Sequence, residues 1–436
     1  MVQSPIRRGE VKTLEKGLAA ARHVLDNGAV IICKEAHTVP AVTIQMSARA
    51  GSIYDSNELL GLSHLLSRVI DRGTDRRSSD EIAEALDARG VSLAVAANRH
   101  MLTVSCTCLA EDFEEMLELV GEVVMQPAFP ADEIDKRRGE VLNAIRQDED
   151  SPAAVATQAL FAMLYPDGHP YGRPAKGNAD AVKRIERRDL VAFHEGRFAP
   201  SSTTAIIVGD VNRERAIDAA DRVLGRWRRP APSEITLLHP PADRVRTERV
   251  IPMMSKAQVD IAYGFTTIVR SSPAYYAYAL MNNALGQYGI GGRLGDSIRE
   301  RQGMAYYVFS SFDANVVEGP LFVRAGVNPA NVERAISSID DEMRRMASEG
   351  PTVQELDDCK QYLVGSMPRL LETNGAIATF LHTAEFFGLG LDHDQRLPAL
   401  FGAVTLEDVR AAARNALDVN RAQVVAAGPY DRGQTP

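Results

Sequence analysis

Apolar and polar residues alternate one by one through the early part of the chain, as in HVLDNGAVIICKEAHTVPAVTIQMSARAG, residues 23–51. A period of two belongs to strands that bury one face. Asn27-Gly28 separates two such runs and predicts a two-residue hairpin turn. LTVSCTCLA, residues 102–110, is a further strand pattern that places Cys106 and Cys108 on one face. A period of 3.6 predicts helices over 58–72, 79–89, 111–125 and 131–149. Strands and helices come in clusters without strict βαβ alternation. The pattern predicts an α+β protein, with helices packed on one face of a largely antiparallel sheet.

The pattern also repeats. FPADEIDKRRGEVLNAIRQDEDSPAAVATQALF, from Phe129, reads like PTVQELDDCKQYLVGSMPRLLETNGAIATFLHTAEF, from Pro351. Each opens on a turn and an acidic first helical turn, runs on as a long amphipathic helix, breaks, and starts a second helix. The ends match as well: DLVAFHEGRFAPSSTTAIIVGD, residues 189–210, has the helix, loop and apolar strand of LEDVRAAARNALDVNRAQVVAAG, residues 406–428. Two matches at nearly one offset predict a duplicated unit of about 200 residues. Residues 228–248 contain Pro230, Pro232, Pro240 and Pro241, which exclude a regular helix or central strand and read as an ordered or extended linker. The expected organisation is one domain over 1–228, a proline-rich joint over 229–248 and a second domain over 249–436.

Composition narrows the function. With 436 residues, 45% apolar and 25% charged, the chain has material for sizeable cores. A net charge of −9 argues against nucleic acid, whose binders usually carry a basic field. Four cysteines require no disulfide framework, and the C-x-C pair reads as two small buried hydrophobes. The longest weakly charged stretch, Thr373 to Leu391, includes His382, Glu385 and several glycines, which favours a buried helix over a membrane span. The first residues carry no apolar signal core. The compartment stays open between cytoplasm and periplasm.

One stretch carries chemistry. ARAGSIYDSNELLGLSHLLSRVIDRGT, residues 48–74, resembles the M16 metallopeptidases, the family of mitochondrial processing peptidase and the insulin-degrading enzymes, and in particular their two-domain M16B branch. The family's helix reads H-x-x-E-H and is followed by a Gly-Thr turn. Residues four apart share a helix face, so two such histidines can clasp one zinc, and the Glu between them can activate a zinc-bound water. Here the helix reads His64-Leu65-Leu66-Ser67-Arg68, and the turn is Gly73-Thr74. Ser67 is no base at neutral pH, and Arg68, a permanent cation, would repel Zn²⁺. The family's third ligand, a Glu on a later helix, corresponds to Ala144 within EVLNAI. The resemblance thus implies a degenerate site at His64, Ser67, Arg68 and Ala144, and no metal or other cofactor in this chain. Rescue by His100, His169, His194, Glu149 or Glu140 finds no ligand spacing to support it. Gly168-His169-Pro170-Tyr171-Gly172 looks like the family's H-P-Y-G loop, and the bland reading of His169 and Tyr171 as an ordered loop is preferred. Phe198-Ala199-Pro200 through Gly209-Asp210 resembles its Y-x-P…G-D strand.

The second half contains GGRLGDSIRERQGMAYYVFSSF, residues 291–312. In two-subunit M16B enzymes the zinc-free subunit supplies an Arg and a Tyr here, seven residues apart, and the resemblance carries that role to Arg299 and Tyr306. Gly286, Gly289, Gly291 and Gly292 form a short turn before this stretch, far shorter than the glycine-rich loop of the mitochondrial non-catalytic subunit. They do not form the phosphate-cradling G-x-x-x-x-G-K-[ST]. The resemblance implies a non-catalytic, substrate-binding subunit. Its zinc-bearing partner would keep H-x-x-E-H, and the pair would enclose unfolded peptides. The alternatives are a structural subunit like the core proteins of respiratory complex III, a stand-alone peptidase with unorthodox ligands, and a peptide-binding homodimer.

Overall fold

The computed structural model describes residues 17–242, 244–287 and 291–431. Among these described residues, eleven strands form two sheets. The first holds β1 (Ala21–Val24), β2 (Val30–Glu35), β3 (Ala41–Ala48), β4 (Leu93–Ala97), β5 (Leu102–Leu109) and β6 (Thr203–Gly209), in the order β1-β2-β6-β3-β5-β4. The second holds β7 (Thr247–Pro252), β8 (Val259–Thr266), β9 (Ala305–Phe312), β10 (Pro320–Val327) and β11 (Gln423–Gly428), in the order β7-β11-β8-β10-β9. β2 runs parallel to β6 and β7 parallel to β11, and the other pairs are antiparallel. Strand for strand, β2 to β6 repeat as β7 to β11, and only the edge strand β1 lacks a counterpart among the described residues. The protein is α+β with two related domains.

The last strands of the two sheets end alike. Gly209 has φ +145° and Gly428 +146°. A Cβ on Gly209 would meet the Ala41 carbonyl oxygen at 2.1 Å, and one on Gly428 the Gln258 carbonyl oxygen at 2.6 Å. At both places the neighbouring backbone, as well as the dihedral, demands glycine.

Alternation decides what each face buries. Val42, Ile44 and Met46 of β3 and Ile31 and Cys33 of β2 face the helices Phe113–Met125 and Arg213–Leu224 in the first core. Cys106 and Cys108 share that face as buried thiols. Val259, Ile261 and Tyr263 face the second core, beneath the helices Val332–Glu349 and Leu406–Ala416. The opposite faces are covered by an exchange between the halves. Helix Pro152–Leu164, from the first half, lays Ala156, Leu160 and Leu164 on Ala262, Val425 and Ala427 of the second sheet. Helix Asn374–Phe386, from the second half, lays Ile377, Ala378 and Leu381 on Ile32, Ile206 and Val208 of the first. The stretch weighed as a buried helix is this second crossing helix, and no helix among the described residues is long and apolar enough to span a membrane.

Two local expectations change. The β1–β2 connection takes five residues, with Val24 paired to Val30, in place of a two-residue turn. Its Asn27 amide is drawn aside to donate to the Leu224 and Trp227 carbonyls at 2.7 and 3.2 Å. The helix expected over 58–72 is confined to Leu62–Val69, because Gly61 sits at φ +92°. The described residues between Trp227 and Arg246 form no helix or strand. They are pinned by Arg244, which donates to the Met163 and Leu164 carbonyls, and by His239 against Glu318 at 2.7 Å.

Candidate functional site

The helix Leu62–Val69 is set by a buried carboxylate. Asp55 accepts from the Gly61 and Ser63 amides at 3.0 and 2.9 Å and from the Ser63 hydroxyl at 3.2 Å. Burial pushes the Asp55 carboxyl up to about 6 against these bonds. The Arg173 guanidinium fixes its backbone, donating to the Asp55 carbonyl at 2.9 Å. A Cβ on Gly61 would meet the Lys176 carbonyl oxygen at 2.4 Å, and one on Gly177 the Leu60 carbonyl oxygen at 2.1 Å. The loop after the H-P-Y-G segment is therefore locked, backbone to backbone, against the start of this helix.

His64 and Arg68 share one face of the helix. The Ser67 hydroxyl is buried and donates to the His64 carbonyl at 2.7 Å, so it is turned back onto its own helix. Helix Ala131–Glu149 packs across and brings Ala144 half-buried, with Glu140 one turn earlier. Arg68 reaches the Glu140 carboxylate at 3.5 Å. Glu140 is itself held by Arg137 at 2.6 Å, and Arg137 by Glu133 at 3.3 Å. Lys176, whose carbonyl packs against Gly61, pairs with Asp148 at 2.7 Å. Burial, together with the Lys176 and Arg68 charges, holds His64 below the ordinary imidazole range. Zinc does not fit this set: one neutral imidazole faces a permanent guanidinium, and neither Ala144 nor the inturned Ser67 offers a ligand. Among the described residues no three His, Cys, Asp or Glu side chains group as a metal ion would need.

The histidines weighed as substitute ligands are engaged elsewhere. The His194 Nε2 bonds the Val124 carbonyl and the His169 Nε2 the Leu238 carbonyl, each at 2.8 Å. His100 bonds the Tyr171 hydroxyl at 2.7 Å, and that hydroxyl donates to Asn315 Oδ1 at 3.0 Å. Tyr171 thus joins the β4–β5 turn to the β9–β10 loop, a seam between the halves. Glu149 lies exposed at the end of its helix.

In the second half, a π-helical stretch, Gly295–Arg301, carries Arg299, and a turn leads into β9, the edge strand that carries Tyr306. The Arg299 guanidinium has one ion pair among the described residues, with Glu300 at 3.7 Å. Tyr306 is 65% exposed. Before them Gly286 and Gly292 approach so closely that a Cβ on Gly292 would lie 2.6 Å from the Gly286 Cα. Gly289 lies outside the described residues.

Residues 30–175 match the family described as Insulinase (Peptidase family M16), and residues 184–363 match Peptidase M16 inactive domain. The chain belongs to the M16 peptidase family. An uncharacterized zinc protease of Mycobacterium tuberculosis is 27% identical over 421 residues, covering 95% of this chain and 94% of the relative. A non-peptidase homolog of Helicobacter pylori is 23% identical over 395 residues, covering 89% of each. Among solved structures, a peptidase M16 inactive domain from Pseudomonas fluorescens superposes with a TM-score of 0.88 at 27% identity, covering 94% of this chain and 98% of that one. A Helicobacter pylori protease at 18% identity shares the fold, with a TM-score of 0.87. With Ser67, Arg68 and Ala144 at the motif's positions, this is a non-catalytic M16 chain.

Asp55 and Lys176 carry no motif signal of their own. Gly61 and Gly177 mark where their loops meet, but only the fold pairs those two glycines.

Proposed function

We propose that the chain is the substrate-binding subunit of a heterodimeric M16 zinc peptidase, presenting Arg299 and Tyr306 to peptide held at the zinc of a partner that keeps H-x-x-E-H. The observation that supports this is an asymmetry of engagement. At the old metal positions Ser67 is bonded to its own helix and Ala144 has no polar side-chain atom, whereas Tyr306 stands 65% exposed with its hydroxyl unpartnered among the described residues, and the Arg299 side chain, with one 3.7 Å approach to Glu300, is free to reach a ligand beside it. A guanidinium offers a donor fork to a peptide carbonyl, and a phenol donates to a developing oxyanion. The zinc belongs to the partner, which supplies the Lewis acid.

The test combines this chain with a zinc-bearing M16 chain and measures cleavage of an unstructured peptide, with bound zinc quantified. Cleavage is expected only in the mixture. Arg299→Ala and Tyr306→Phe are expected to lower kcat/KM at least about tenfold with zinc unchanged. Zinc and cleavage in this chain alone would sink the proposal. Full activity in both variants would leave the structural-subunit reading in its place.

A further inference from the structure

The seam between the halves holds a cavity of about 250 Å³. Three segments drawn from both halves build it: the β4–β5 turn, the β9–β10 loop and the C-terminal end of the crossing helix Asn374–Phe386. Two side chains that line it lack the partners such groups normally find. The Arg99 guanidinium makes no hydrogen bond or ion pair among the described residues, and is held instead over two rings, 4.8 Å from the Phe161 centroid and 5.4 Å from that of Tyr171. Its backbone is fixed as well. The Arg99 carbonyl accepts from the Ile53 amide at 3.0 Å, and a Cβ on Gly51 would lie 2.5 Å from that carbonyl oxygen. Asn98 Oδ1 pins the same turn by accepting from the His100 and Met101 amides, each at 2.8 Å. A donor fork that suits a carboxylate is thus presented on a rigid mount. The second is His382, whose Nε2 is buried without a hydrogen-bond partner among the described residues. Such an atom carries a desolvation penalty that a ligand in the cavity would relieve. The cavity also presents one carboxylate, Asp313, which forms no ion pair with Arg99. Its apolar wall is Met101 and the rings of Phe386 and Phe387, with Phe386 stacked on His382 at 6.4 Å.

One cation, one anion and one hydrogen-bonding ring, set against aromatic and thioether carbon, match a zwitterion with an apolar body. At about 30 Å³ per water, the cavity takes roughly eight waters' worth of ligand, the scale of a single amino acid. We propose that this seam binds a small apolar α-amino acid, its carboxylate received by Arg99 and His382 and its ammonium by Asp313. His382 then carries its proton on Nε2. A peptide terminus has only one of the two charges, so the free amino acid is the occupant that satisfies both. Because the lining comes from both halves, a bound amino acid joins them across the seam. The proposal does not depend on the roles given to Arg299 and Tyr306.

The experiment uses the whole chain and three probes: L-leucine, its N-acetyl derivative and its amide. Binding is read by titration calorimetry and by the thermal midpoint. L-leucine is expected to saturate one site per chain and to raise the midpoint. Each derivative has lost one charge and is expected to bind at least about tenfold more weakly. Asp313→Asn and His382→Phe should each weaken leucine binding at least about tenfold, and Arg99→Gln should abolish it. Without leucine, His382→Phe should hold or raise the thermal midpoint, because it removes an unsatisfied polar atom. No saturable leucine binding to the unaltered chain would overturn the proposal. Equal binding of either derivative would overturn the zwitterion assignment. Unchanged affinity in both Asp313→Asn and His382→Phe would place the site elsewhere and overturn its location. None of these outcomes bears on cleavage in the mixture with a zinc-bearing chain, so the two readings fail separately.

Discussion

The two halves repeat one strand order, yet the helix that follows the third strand of the first sheet has taken a different course from its counterpart in the second. After β3, Asp55 caps a regular helix, Leu62–Val69, whose outward positions end in an ion-pair network. After β8, the helix Tyr275–Asn282 gives way to the π-turn Asn283–Gln287, and Gly286 and Gly292 pack in contact before Arg299. One region has lost its old chemistry, with Ser67 bonded back to its own helix and Arg68 set against Glu140. The other leaves an arginine and a tyrosine facing solvent. The sheets are held by apolar alternation and by glycines such as Gly209 and Gly428, so the scaffold survives while the chemistry on its helices diverges.

The sharpest way to break the comparison is through the exchanged helices. Leu160→Ala, at a fully buried position, should cost about 3 kcal/mol by denaturant titration. Leu160 belongs to the first half by chain and to the second by packing. Hydrogen exchange should therefore rise in β8 and β11 more than in β2 and β6, and Leu381→Ala should show the reverse.

Acid should strain both halves. His194 in the first and His393 in the second are held down to about 4, chiefly by burial. Between about 4 and the ordinary 6.5 the unfolded chain binds more protons than the folded one, so stability falls as pH drops through that window. For the well-buried His194 the loss is roughly 1.4 kcal/mol per unit of depression. Thermal melts from pH 7 to 4.5 should show it, and His194→Phe should flatten the slope.

Asp55 works in the opposite sense. Its folded value near 6 lies above the ordinary carboxylate value, so the folded state binds more protons and stability declines as pH rises through about 4 to 6. Asp55→Ala should cost about 2 kcal/mol by removing the helix cap. Asp55→Asn should cost less and lose that pH slope.

The smallest effect on stability, and the largest on chemistry, comes from restoring the motif. Ser67→Glu, Arg68→His and Ala144→Glu together should bind about one zinc per chain by metal analysis, and the set without Ala144→Glu should not. Arg299→Ala and Tyr306→Phe, both exposed, should shift stability by less than about 0.5 kcal/mol.

Much of the fold was legible in the sequence. The alternation in residues 41–48 and 102–109 became β3 and β5, the helix read over 131–149 spans those residues, and the repeat became matching sheets. The β1–β2 turn was not legible, because a helix end more than 190 residues away claims the Asn27 amide. At the candidate site, residue identity alone announced the loss of ligands at Ser67, Arg68 and Ala144. That Arg68 finds Glu140, and that the Lys176 carbonyl packs against Gly61, depend on segments brought together from three parts of the chain.

By itself, the sequence determined what a local period or a single side chain can carry: strand and helix type, the duplication, the family and the missing metal ligands. The tertiary structure alone decided which surfaces meet. Helices Pro152–Leu164 and Asn374–Phe386 are apolar in either half, and nothing in their own residues says which sheet they cover. Burial against a partner face settles it, because apolar contact is non-directional and only the whole chain's geometry chooses the partner.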